Sequence, residues 1–104
     1  MTVPVRTEDQ RASALLRAME VRHERAELRR ALKSGRISGV DIIRSAGMSG
    51  EWHGVRIRWL LESLPRIGPA RADSIMRRLA VAETRRLGGI TDRQRQELIE
   101  AIEV

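Results

Sequence analysis

The stretch Leu64-Pro65-Arg66-Ile67-Gly68-Pro69-Ala70-Arg71-Ala72-Asp73-Ser74-Ile75-Met76 decides the fold of this chain. An apolar run stops at Pro65, a turn containing Gly68 follows, and Pro69 stands at an acceptable first position of a new helix. A turn that leads straight into a helix presents backbone N–H groups to an anion. Arg71, in the first helical turn, is poorly placed against the positive end of the helix dipole unless an anion lies in front of it. The stretch therefore predicts two helices joined by an anion-binding turn.

Helices are also predicted on both sides of this turn. Residues 55–64 have apolar side chains at helical spacing, although their alternating start would also suit a strand. The helix from Pro69 has an inward face of Ala72, Ile75, Met76 and Leu79. A second turn spans residues 84–90, and Thr91-Asp92-Arg93-Gln94 is a capping box that opens a last helix through about Glu103. Residues 55–103 thus predict two turns among packed helices, and no strand is needed.

A long helix is predicted at the other end of the chain. Thr7-Glu8-Asp9-Gln10 is a capping box, and Gly35 ends the run, so the helix covers residues 8–34. At 1.5 Å per residue it is roughly 39 Å long, more than a small core can cover. Half of it is expected to project, with a narrow apolar stripe that could seat another helix, made of Ala12, Leu15, Leu16, Met19, His23 and Ala26. A short helix from Ser38 to before Gly47 and a loop over 47–54 complete an all-α single domain, residues 1–104.

Composition narrows the class of protein. The chain has 104 residues and no cysteine, which excludes disulfides, thiolate zinc sites and cysteine nucleophiles. Two histidines without a nearby carboxylate cluster predict no metal site, and no cofactor, small-molecule substrate or catalytic group is indicated. There is no apolar window of about twenty residues and no signal-peptide core, so we expect a cytoplasmic protein with no membrane contact.

The basic charge is concentrated in one segment. The formal net charge is +6, and residues 66–95 carry +5 of it, with eight arginines against three acidic residues. An arginine-rich composition alone can reflect a GC-rich genome, but this distribution is the one that a nucleic-acid-binding face requires. The sequence therefore predicts nucleic acid as the partner of this segment.

The whole chain resembles the actinobacterial integration host factor family. The resemblance rests on the Asp-Gln-Arg-Ala helix start, on Leu-Leu-Glu-Ser-Leu-Pro at 60–65, and on Thr84-Arg85-Arg86-Leu87 and Asp92-Arg93-Gln94. Residues 60–102 resemble a helix-two-turns-helix unit that is known from a ribosomal small-subunit protein and from base-excision glycosylases. The family resemblance implies a non-enzymatic, nucleoid-associated protein that bends or compacts duplex DNA with little sequence preference.

By matching position, the resemblance implies phosphate and minor-groove contacts at Ile67, Gly68 and Ala70 and at Arg85 and Arg86. Together with the turn and charge arguments, this gives a candidate nucleic-acid-binding set of Arg66, Ile67, Gly68, Pro69, Ala70, Arg71, Thr84, Arg85, Arg86, Gly88 and Gly89. Secondary contacts are predicted at Arg56, Arg58, Arg78 and Arg93. The chain departs from the family pattern at Pro69, where a lysine is frequent, and at Gly88 and Gly54, where basic residues are usual.

Other interpretations stay open at this point. Gly68 would also suit an ordinary tight link that needs glycine only for its backbone torsion, and Arg85 and Arg86 would also suit a solvated charge pair. Structured RNA is an alternative partner, a glycosylase-like fragment is an alternative class, and a divergent or phage-borne relative would have an altered DNA preference. We expect Asp73 to pair with Arg77 four residues later, Trp59 to pack, and the free chain to be a monomer, whereas Trp52 would suit packing and base stacking equally.

Overall fold

The computed structural model describes residues 7–103, so residues 1–6 and Val104 of the predicted domain lie outside the described part. Five α-helices follow one another in that part, with one short 3-10 helix before the last. We label them α1 to α5 in chain order. Their bounds are α1 Glu8–Lys33, α2 Gly39–Met48, α3 Ile57–Ser63, α4 Pro69–Leu79, the 3-10 helix Leu87–Gly89, and α5 Asp92–Glu103. The predicted all-α class is confirmed.

Local signals set the ends of these helices. Both predicted capping boxes form: Gln10 and Thr7 exchange side-chain to backbone hydrogen bonds at the start of α1, and Gln94 and Thr91 do the same before α5. Pro69 occupies the first turn of α4, where its missing N–H costs no helical hydrogen bond. α2 runs two residues further than predicted, through Met48, so the following loop is shorter.

One core holds α2 to α5 together. The predicted inward face of α4 is buried in full, and Leu98 and Ile99 of α5 are buried with it. α3 contributes Ile57, Leu60 and Leu61, each with 0% exposure. α3 begins at Ile57, two residues after the start of the apolar pattern that predicted it. The backbone at Arg56 instead forms an isolated antiparallel bridge with Arg86.

α1 joins this core only near its C-terminal end. Along its described length the buried residues are Leu28, Ala31 and Leu32, so most of the helix projects, as predicted. The apolar stripe that the sequence singled out is not the face that packs. Its members are exposed and lie on the opposite side of the helix from Leu28, Ala31 and Leu32, since successive residues turn by about 100°.

No helix within residues 7–103 is both long and apolar enough to cross a membrane. Over the same range, no three histidine, aspartate or glutamate side chains come together as a set that could hold a metal ion.

Candidate nucleic-acid interface

The second turn, residues 84–89, is held by backbone hydrogen bonds and has two arginines on its exposed side. The backbone N–H of Leu87 donates to Val55 O at 2.9 Å, that of Ile57 donates to Arg85 O at 3.0 Å, and that of Gly88 donates to His53 O at 3.1 Å. These three bonds fix residues 84–89 against the segment 53–57. Buried Leu87 anchors the turn in the core, so the exposed side chains around it have a fixed base.

Glycines and arginines line a groove at this second turn. The groove has a volume of about 610 Å³ and is lined by His53, Gly54, Ala82, Thr84, Arg85, Arg86, Gly88 and Gly89. We call these residues the second-turn face. Five of them belong to the predicted site, so the structure brings that part of the prediction together in one place. Three of its members are glycines, namely Gly54, Gly88 and Gly89.

Arg85 and Arg86 are positioned by carbonyl groups and keep their charge available. Arg85 donates to Gly89 O at 3.0 Å, and Arg86 donates to the carbonyl of Gly54. Among the described residues, no carboxylate lies within ion-pair distance of either guanidinium. Two orientated and uncompensated cations on a concave surface are an arrangement suited to phosphate groups.

Arg58 draws the nearby carboxylates into one cluster. It pairs with Asp73 of α4, with Glu62 at 3.0 Å and with Glu83 at 3.2 Å. The hydrogen bond to Asp73, followed by attraction to the carboxylates, raises the pKa of the Arg58 guanidinium. The expected pairing of Asp73 with Arg77 is wrong, because α3 packs beside α4 and offers Asp73 a cation from another helix. A predicted secondary DNA contact, Arg58, is thus occupied by three acidic partners.

The first turn lies at the other end of α4 and forms a separate groove. This groove, of about 300 Å³, is lined by Arg66, Ile67, Arg71 and the neighbouring ends of α2, α3 and α5. It shares no lining residue with the second-turn face. α4 has 11 residues and is therefore about 16 Å long, and the first turn lies directly at its N-terminal end.

Arg71 does not need an anion to explain its position. Its guanidinium is half-buried and donates to Ala101 O at 3.4 Å, near the C-terminal end of α5. A cation there is favourable because carbonyl groups point out of that helix end. The sequence argument that placed a phosphate in front of Arg71 therefore loses its basis, and Arg66, which is exposed, becomes the cation of this turn that faces solvent.

Gly68 is not explained by its backbone torsion. It has φ −91° and ψ −178°, an extended conformation that any residue adopts, so the interpretation of a torsion-driven glycine is wrong. A Cβ at this position would meet nothing within 4 Å. Among the described residues, no contact requires glycine at this position.

Sequence reasoning missed the contribution of α1 and the 50–54 loop to this surface. Trp52, with φ 65°, packs against the core and lies under the Arg25 guanidinium at 5.5 Å from the ring centroid. Burial lowers the pKa of Arg25, and nearby Arg86 lowers it further. Trp59 packs under Arg29 in the same way, at 5.4 Å. Trp59 therefore packs, as predicted, Trp52 packs as well, where the sequence had left packing and base stacking open, and Arg25 adds a cation beside the second-turn face.

Among the other predicted secondary contacts, Arg56 and Arg78 are exposed, and Arg93 pairs with Glu97 of its own helix at 3.2 Å. Arg95, which no pattern singled out, is the residue that supports the second turn from below. It donates to Leu87 O and Ile90 O, each at 3.4 Å, from a side chain only 15% exposed.

The ring of His53 explains the glycine at position 88. A Cβ on Gly88 would lie 2.8 Å from Cγ and 2.9 Å from Cβ of His53. The ring cannot move away easily, because its Nε2 bonds the carbonyl of Ala46. A side chain at position 88 is therefore incompatible with His53 in its present place.

We expect Gly88→Ala to destabilise the fold by about 1–3 kcal/mol, the cost of overpacking a fixed neighbour. Gly68→Ala is the matched control, since it adds the same methyl group in open space and is expected to be neutral or slightly stabilising. Urea unfolding of both variants measures the difference. His53→Ala removes the ring but keeps the Cβ, so it should relieve part of the loss in Gly88→Ala. Equal midpoints for Gly88→Ala and Gly68→Ala would show that the His53 contact is not limiting.

The fold and the two turns define a helix-two-turns-helix protein, and comparison with known proteins agrees. The family model described as "S13-like H2TH domain" matches residues 32–102. Proteins named integration host factor are similar over most of the chain. Those of Mycobacterium tuberculosis and Mycolicibacterium smegmatis are each 40% identical over 96% of this chain and 95% of their own length. That of Streptomyces coelicolor is 38% identical over 90% of this chain and 88% of its own.

A solved structure described as sIHF bound to an 8-bp palindromic DNA is similar in fold, with a TM-score of 0.68 and 33% identity. The match covers 84% of this chain and 93% of that one. Given identities near 40% over almost the full length, the chain belongs to the integration host factor family.

Proposed function

We propose that this chain is a nucleoid-associated protein that binds duplex DNA, with the second-turn face as the principal contact. The observation that carries the proposal is the pair Arg85 and Arg86, exposed, uncompensated and fixed over a glycine-lined groove. The family relationship and the DNA-bound relative support it. Bending or compaction with little sequence preference is part of the proposal.

In this mechanism, Arg85 and Arg86 neutralise phosphates or enter a narrow minor groove. Thr84 has a hydroxyl that can donate to a phosphate oxygen from the same turn. The cluster at Arg58 assists indirectly, because it holds Asp73 and Glu83 in ion pairs and reduces their repulsion of the duplex. No contact in this scheme reads a base edge, so deformability of the duplex would set any preference.

The first turn supplies the second contact. The start of α4 leaves its first amides without partners inside the helix, Gly68 has no side chain to cap them, and Arg66 stands beside them. The two turns lie toward opposite ends of α4, which is about 16 Å long. A duplex carries one charge per about 1.7 Å of axis, so phosphates of a single duplex are available to both turns. Pro69 removes one amide from this turn, which makes it the weaker of the two.

Localisation and assembly follow from this role. A DNA-bound chain would be found in the cytoplasm, on the nucleoid, and would need neither a cofactor nor a small-molecule substrate. The free chain carries +6 and would be monomeric at low concentration, because like-charged copies repel each other.

Salt dependence gives the first test. With three or four phosphates neutralised, the logarithm of the binding constant on random duplex should fall against the logarithm of salt concentration with a slope of about −3 to −4. Fluorescence anisotropy with a labelled 20-bp duplex between 50 and 400 mM KCl measures it, about the range over which such contacts weaken strongly. A slope near zero would contradict phosphate recognition.

A competition experiment separates DNA from RNA as the partner. The protein is bound to labelled duplex DNA and challenged with unlabelled DNA or with a structured RNA of equal charge. We expect DNA to compete at lower concentration. More effective competition by the RNA would assign the two turns to RNA instead.

A further inference from the structure

The projecting part of α1 has an apolar face that the other described residues, within 7–103, leave uncovered. Leu15, Leu16 and Met19 are 57%, 59% and 53% exposed, and Ala12 beside them is exposed as well. At 100° per residue these four lie within an arc of about 100°. The face points away from the domain, because the residues of α1 that do pack lie on the opposite side, namely Leu28, Ala31 and Leu32.

The edges of this face have opposite charges. Arg11 and Arg22 lie along one edge, whereas Asp9, Glu20 and Glu27 lie along the other. When two copies of this helix pair in parallel, the basic edge of one copy lies beside the acidic edge of the other. In an antiparallel pair, the two basic edges lie together, and so do the two acidic edges. In the parallel register Arg22 lies opposite Glu27 of a second copy, where it would share the carboxylate that Arg30 and His23 of Glu27's own helix already contact, and the reverse pair forms by symmetry. Arg22 is available for this, since the hydrogen bond that the structure gives it goes to Ala18 O of its own helix.

We propose that two copies of this chain pair in parallel through the face formed by Ala12, Leu15, Leu16 and Met19 when they are bound to DNA. The inference rests on the proposed function. Three half-exposed apolar side chains per copy fall well short of the roughly 1,200 Å² that stable interfaces bury, so free copies stay apart. DNA raises their local concentration and neutralises their mutual repulsion, which makes the weak contact effective.

Pairing in this geometry joins two duplexes. Val21 and Arg25 lie on the domain side of α1, and together with Trp52 and His53 they line the groove next to the second-turn face. That groove is on the side of α1 opposite the apolar face. The two DNA-binding surfaces of a pair therefore point away from each other, and each holds its own duplex.

Cysteine crosslinking tests the pairing and its direction, since the chain has no cysteine of its own. Met19→Cys and Ala12→Cys are oxidised separately, with and without saturating duplex DNA. In a parallel pair each cysteine faces its own copy, so each variant should form a disulfide dimer on DNA, and little without it. Met48→Cys is the control, because Met48 is 88% exposed and lies outside α1.

Equal crosslinking of Met48→Cys and Met19→Cys would overturn the proposal, since it would indicate random collision. Dimers found only when Ala12→Cys and Met19→Cys are mixed would overturn it too, because that result defines an antiparallel pair.

A bridging assay gives the functional readout. Duplex DNA on beads captures a second, labelled duplex through the wild-type protein. The double variant Leu15→Ser with Met19→Ser should lower this capture by about tenfold while binding a single duplex with unchanged affinity. Met48→Ser, the matched polar replacement outside the face, should leave both readouts unchanged, and circular dichroism checks that α1 stays helical. If wild type fails to bind a single duplex, the proposed function is wrong; if it binds one duplex but captures no second, only the pairing is wrong.

Discussion

The double variant Arg85→Ala with Arg86→Ala should lose most of its affinity for duplex DNA. Each neutralised phosphate contributes about 0.9 to the salt slope, so removing two contacts should flatten the slope by about 1.8 and weaken binding roughly 30-fold at 0.15 M salt. The fold should survive, because both side chains are exposed and bond only surface carbonyls, those of Gly89 and Gly54. Anisotropy titrations at several salt concentrations, with thermal unfolding alongside, measure both effects.

The control must remove the same charge from elsewhere. Arg17→Ala with Arg36→Ala does so at two exposed positions, one on α1 and one in the loop that follows it. We expect at most a small loss of affinity, since these residues lie outside both turns. If this control weakens binding as much as the Arg85 and Arg86 variant, affinity follows net charge and the second-turn face is not the site.

Leu32→Ala should destabilise the protein by about 2–5 kcal/mol, the usual cost of deleting a fully buried leucine side chain. Leu32 is 0% exposed and is one of the three buried residues along the described length of α1, so its loss weakens the attachment of a 26-residue helix. Because α1 carries Arg25 onto the Trp52 ring, the variant should also loosen that edge of the DNA-binding surface. Urea unfolding monitored by tryptophan fluorescence detects both changes.

Leu15→Ala makes the same replacement on the same helix at a position that is 57% exposed. Away from buried contacts such a change alters the free energy of unfolding by about 0.5 kcal/mol or less. A loss in Leu15→Ala comparable to that in Leu32→Ala would mean that the domain covers the projecting half of α1 in solution.

The start and end of each helix could be predicted because their signals are local. A capping box or a proline acts within about one turn, so Thr7, Thr91 and Pro69 set helix ends without help from the rest of the chain. The inward face of α4 was equally predictable from its spacing. For the same reason the sequence located both turns and showed that basic charge accumulates between residues 66 and 95.

The ion-pair and hydrogen-bond partners of individual charged side chains could not be predicted from local patterns. Asp73 has an arginine four residues along its own helix, yet it pairs with Arg58 of α3, since tertiary packing brings that guanidinium into contact. The sequence indicated that Arg71 requires an anion, but in the structure a carbonyl at the end of α5 accepts a hydrogen bond from its guanidinium. In both cases the deciding group lies many residues away, where no local pattern can indicate it.

The sequence by itself thus determined an all-helical chain, the ends of its helices, and a basic segment built around two turns. The tertiary structure alone decided which cations remain available: it occupies Arg58 and Arg71 with internal partners and leaves Arg85 and Arg86 exposed over the glycines. It also decided that α1 packs through Leu32 and turns its apolar stripe outward. The physical reason is that spacing fixes which side chains share a face, whereas only packing fixes what each face meets.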